Sequence, residues 1–93
     1  MFERILKRIR EKVRTRQYVM TVHAEEEMDE EGLQIYDIER GLLAGEILER
    51  QKEEDTGEWK YLVQGQTLVG DEVVLVAKLS PTGMLIIITA YRV

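Results

Sequence analysis

A chain of 93 residues with net charge −5, 44% hydrophobic and 33% charged, fits one globular domain and leaves no room for two. It holds no cysteine and one histidine, which excludes disulfide staples and thiolate metal sites and argues against a structural zinc site, because carboxylates alone seldom build one. Charges at Glu3, Arg4, Lys7, Arg8 and Arg10 interrupt the opening residues, and apolar runs such as Met84 to Ile88 are far too short for a bilayer, so the expectation is a cytoplasmic protein with no membrane association.

Residues 1–16 carry Arg4, Lys7, Arg8, Arg10, Lys12, Arg14 and Arg16 against Glu3 and Glu11, a local charge of +5 that leaves −10 for the rest. Such asymmetry marks a partner-binding segment on an acidic body. Phe2, Ile5, Leu6, Ile9 and Val13 recur at steps of three and four, one stripe of a helix over 1–16. The segment reads either as a docking helix with a solvated outer face or as a basic amphipathic helix for RNA, an acidic partner or a membrane surface. In the second reading Arg4, Arg8 and Lys12 are the principal contacts.

Gln17 to Val22 is short, partly β-branched and extended. From His23 the acidic run Glu25, Glu26, Glu27 suits a helix N-terminus, with Gly32 as its stop. A third helix places Ile35, Ile38, Leu42 and Leu43 on its buried side and ends before Gly45, despite Gly41 within it. These helices span 23–45. The period then becomes strand-like over 46–93: a strand over Glu46 to Gln51, then Trp59, Tyr61 and Val63 in alternation with polar neighbours. Val73 to Leu79 and Met84 to Tyr91 form a hairpin through Ser80, Pro81, Thr82 and Gly83. The last two strands are apolar on both faces and therefore central. The fold class is α+β: one domain over 1–93 with N-terminal helices packed on an antiparallel, roughly four-stranded C-terminal sheet. If Leu79 pairs with Met84, then Val73, Leu75, Ile86 and Ile88 form the core face against Ile5, Ile9, Ile38 and Leu42.

No phosphate-cradling glycine loop is present, and the only serine, Ser80, sits in a turn, so a serine triad has no nucleophile. The run of Glu25, Glu26, Glu27, Asp29, Glu30 and Glu31 reads as a solvated acidic face, because consecutive carboxylates on a helix diverge. No metal or cofactor is expected. There remain cationic and phenolic groups on the strands: Arg50, Lys60, Lys78, Tyr91 and Arg92. RNA cleavage through the 2′-hydroxyl needs only a base, an acid and cations for the charge growing on phosphorus. Lys60, Lys78, Tyr91 and Arg92 are the catalytic candidates, and Arg50 joins the binding set of Arg4, Arg8 and Lys12. Under the assumed pairing Lys78 and Tyr91 share a face but lie too far apart to act jointly, with Arg92 on the other face. His23, between Val22 and Ala24 at a junction, reads either as a partly buried, hydrogen-bonded structural residue or as an acid, base or phosphate contact.

Thr21-Val22-His23-Ala24, then Met28, Gly32-Leu33, Asp37-Ile38, Gly45-Glu46-Ile47 and the ending Ile87-Ile88-Thr89-Ala90-Tyr91-Arg92 resemble the small bacterial His-Ala family of uncharacterised domains. That family is grouped with the RelE-like toxins, and the order of elements is similar to that of the MqsR-type mRNA interferases. The resemblance implies a type II toxin that cuts mRNA without metal, with mRNA or the ribosome and an MqsA-type zinc-finger antitoxin as partners. It puts Lys60 at a polar active-site position and Tyr91 at a basic one, and matches Lys78 and Arg92 to the general cationic character of such sheets. The rival reading is a non-catalytic protein- or RNA-binding module of the same fold. The acidic body favours it, because such a body repels RNA phosphates except along the first helix.

Overall fold

The computed structural model describes all of residues 1–93. Its elements are α1 (Glu3–Arg14), β1 (Tyr18–Met20), α2 (Val22–Glu30), α3 (Ile35–Ala44), β2 (Glu46–Lys52), β3 (Trp59–Gln66), β4 (Glu72–Leu79) and β5 (Leu85–Arg92). Ile9 and Val13 of α1 are buried while Arg4, Lys7, Arg8 and Arg14 are exposed, as the 3.6-residue period requires. Arg16 takes a left-handed φ of 58° just past α1. The Gln17 amide then donates to the Lys12 carbonyl at 2.8 Å, and the chain turns into β1. Thr21 caps α2: its hydroxyl accepts from the Ala24 amide at 3.1 Å and donates to the Ile88 carbonyl at 3.3 Å. One side chain thus starts the helix and ties it to the sheet. Asp37 does similar double duty for α3, accepting from the Gln34 amide at 2.9 Å and, with its other oxygen, from the Leu68 amide at 3.1 Å.

The sheet has five strands in the order β1-β5-β4-β3-β2, antiparallel throughout except for β1, which runs parallel to β5. The α+β class and the central position of β4 and β5 agree with the sequence. The strand count does not, because the short segment before α2 joins the sheet as a fifth, parallel strand. Three residues suffice there: the Thr21 amide and the Leu85 amide add hydrogen bonds of 3.0 Å each to the same pairing.

The register of the last hairpin also differs from the expectation. Leu79 faces Leu85, not Met84, and a bulge between Val76 and Ala77 shifts the later pairs, so that Val76 faces Thr89 and Leu75 faces Ala90. Leu85 and Ile87 are therefore fully buried, whereas Ile86 and Ile88 are half-buried on the opposite side. The remaining core residues fall where the period puts them. Ile9, Ile38, Leu42, Val63, Val73 and Leu75 are fully buried in one cluster, with Ile5 packed at its margin. All three helices contribute to that cluster, and Val19, Leu62, Val76 and Ile86 on the far face remain partly open to solvent.

Candidate nucleic-acid interface

Trp59 begins β3 two residues before the buried Tyr61, so both side chains project to the helix side of the sheet. On the neighbouring strand Arg50 pairs with Tyr61 and Lys52 with Trp59, which puts both cations on that same side. The Arg50 guanidinium lies 4.1 Å from the indole centroid and the Lys52 ammonium 5.7 Å away, within the range of cation–π attraction. Two residues further along β3, Tyr61 meets Phe2 edge to face with centroids 6.4 Å apart.

Between this edge of the sheet and α1 runs a groove of about 280 Å³, lined by Ile5, Arg8, Trp59, Tyr61, Leu79 and Pro81 among others. Glu58 also lines it, but its carboxylate is 2.8 Å from the Lys78 ammonium, and Glu53 stands 3.9 Å from the same ammonium. The hydrogen bond to Glu58, ahead of the charge of Glu53, holds the Lys78 pKa above the usual lysine value. With Glu58 held by Lys78, the remaining charged side chain of the groove lining is Arg8, and Arg50 and Lys52 stand outside the groove against the Trp59 ring. A cleft of about 290 Å³ elsewhere is lined by Arg40, Glu46, Gln64 and Glu72. Two carboxylates against one guanidinium do not suit an anion.

Of the expected binding residues, Arg8 lines the groove and Arg50 lies against the Trp59 ring at its edge. Arg4 stands one helical turn before Arg8. Lys12 stands one turn after it, with its ammonium 2.9 Å from the Gln17 side-chain oxygen. The catalytic candidates do not converge. Lys60, paired with Gln51, lies one position beyond the Tyr61–Ala77 pair and so beside Lys78, on the face away from the helices. Tyr91 faces Val74, four residues along the strand from Lys78, or about 13 Å. Arg92 faces Val73 on the helix side and sits 3.6 Å from Asp71.

His23 is exposed, contrary to the partly buried reading, because it follows the N-cap by two positions and only Ala24 of that turn points inward. Its Nε2 is 3.2 Å from the Glu27 carboxylate, and the same oxygen accepts from the Ala90 amide at 3.2 Å. β1 ends before reaching Ala90, so Glu27 satisfies a backbone donor that no strand covers. The acidic residues of α2 form no cluster of three or more groups placed to hold a metal ion.

Trp59 and Lys52 were missed as interface residues in the sequence. Arg50 and Lys52 are two apart, as are Trp59 and Tyr61, which signals a shared face for each pair. Only the β2–β3 register brings the two faces together.

The fold and the groove define a small α+β domain with its helices on one face of a mixed sheet and a sheet edge that carries Trp59 with Arg50 and Lys52 beside it. The chain belongs to the family described as domain of unknown function DUF4258, whose model matches residues 20–92. The match takes in the Thr21-Val22-His23-Ala24 segment and the C-terminal strand, and it starts after α1. No curated protein and no solved structure matches the chain. No helix is long and apolar enough to cross a membrane.

Proposed function

We propose that this protein is a non-catalytic RNA-binding module that holds the RNA backbone along the outer face of α1 and the adjoining groove. The observation that carries this reading is the placing of Arg8, Arg50 and Lys52 around Trp59, while Tyr91 and Arg92 stay apart from Lys60 and Lys78. Phosphate contacts from arginine and lysine supply most sequence-independent affinity for RNA. Confining them to one edge lets an otherwise acidic protein bind without its body opposing the contact.

A second reading, a metal-independent endoribonuclease of a type II toxin–antitoxin pair, draws support from the RelE/MqsR-like order of elements and from Lys60 standing beside Lys78. In that reading an MqsA-type antitoxin is the partner. Incubating the purified protein with an end-labelled RNA that carries a hairpin and a single-stranded tail separates the two. The module retains intact RNA in a retarded complex, and the toxin shortens it. RNA that is neither bound nor cut contradicts both.

A further inference from the structure

We propose that the Trp59 groove is a stacking site for one base of single-stranded RNA, with Arg50 and Arg8 taking the flanking phosphates. The inference rests on the RNA-binding reading and adds the class of RNA and the residue that selects it. Trp59 is 38% exposed although it starts a strand whose later members are buried. The indole lines the groove together with Tyr61 and Arg8, while Arg50 covers it from outside the groove lining, so the groove side of the ring is the stacking platform, with a cation on each flank. The Arg50 guanidinium lies over the ring at 4.1 Å, which limits its rotamers before any ligand arrives and lowers the entropy cost of binding.

Bases within a duplex already stack on one another and offer no free face, so this arrangement favours a single strand. It also disfavours reading of base edges. Glu58 is held by Lys78, and the Ser80 hydroxyl accepts from the Met84 amide at 3.0 Å and sits 2.9 Å from the Thr82 hydroxyl. Among Ile5, Tyr61, Leu79 and Pro81 only the Tyr61 hydroxyl can meet a base edge, so a weak preference among bases follows.

Trp59 is the only tryptophan in the chain, and its fluorescence therefore reports the site directly. Full-length protein is titrated with oligouridylate, oligoadenylate, a blunt RNA duplex and heparin, with binding followed independently by anisotropy of a label on each ligand. Both single strands should quench Trp59 saturably, in step with the anisotropy, while the duplex and heparin leave the emission unchanged. Trp59→Ala should keep the wild-type circular dichroism and lose about fivefold to about a hundredfold in affinity for the single strands, and Trp59→Phe should recover most of it. Equal quenching by heparin, or undiminished binding by a folded Trp59→Ala, overturns the stacking site while leaving the RNA reading intact. Failure of the wild type to bind any oligonucleotide overturns the RNA reading itself.

Discussion

A Cβ atom on Gly65 would stand 2.5 Å from the carbonyl oxygen of Gly41 and 2.7 Å from its Cα, so the backbone of α3 lies directly on the backbone of β3. This contact explains a glycine inside a helix that would otherwise favour alanine. A Cβ on Gly41 would meet the Leu75 Cδ1 at 2.8 Å and the Val73 Cγ1 at 3.2 Å, and both are side-chain atoms that can shift. Gly65→Ala, which collides with backbone, should therefore destabilise by about 1–3 kcal/mol. Gly41→Ala should cost less, since improved helix propensity offsets up to about 1 kcal/mol. Urea denaturation of the two variants checks the order. A Gly65→Ala protein as stable as the wild type would mean that α3 and β3 are not in close contact.

The Leu79–Leu85 pairing of the last hairpin makes neighbouring isoleucines unequal, with Ile87 beside Ala77 and Ile86 beside Lys78. Ile87 is fully buried and Ile86 only half-buried on the open face. Ile87→Ala should cost about 2–5 kcal/mol by loss of apolar burial and creation of a cavity, and Ile86→Ala about 1 kcal/mol or less. Chemical denaturation that ranked them in the opposite order would restore the Leu79–Met84 pairing.

Tyr18 and Glu39 join β1 to α3 through a hydrogen bond of 2.6 Å. Burial, followed by this bond to a carboxylate, pushes the Tyr18 pKa from 10.0 up to about 12. The folded state thus keeps a proton that the unfolded chain releases near pH 10. The resulting stabilisation is fully present below pH 10 and is lost as pH rises towards about 12. Stability measured across that window should fall in the wild type and fall less steeply in Tyr18→Phe. Identical pH profiles for the two proteins would show that Tyr18 does not keep its proton in the folded state.

Much of the fold was legible in the residues, and the failures share a physical cause. The stripe of Ile9 and Val13, the buried face of Ile38 and Leu42, and the turn at Pro81 and Gly83 each follow from a period or a backbone preference local to one element. The register of β5 does not. Leu85 to Ile88 are all aliphatic, so alternation cannot select which of them face the helices, and the bulge is settled by how β4 and the helices pack. Tyr18 to Met20 is too short to announce a strand, and its pairing to β5 depends on residues more than sixty positions away. For the site, Arg8 and Arg50 were recognised as cations with a binding role. Their meeting at Trp59 depends on the β2–β3 register and on where α1 docks, both tertiary facts. Lys78 drew attention as a free cation, yet Glu53 and Glu58 from the preceding hairpin engage it.

The central claim, that α1 and its groove hold an RNA backbone, is tested most directly by the salt dependence of affinity for a single-stranded RNA. The wild type is compared with a variant in which Arg4, Arg8 and Lys12 are replaced together by glutamine. Each lost phosphate contact lowers the slope of log affinity against log salt by about 0.7 for a single strand. The variant should bind more weakly at low salt and its slope should be shallower by about 2. An unchanged slope and affinity in a folded variant would contradict the account and move the contact away from α1.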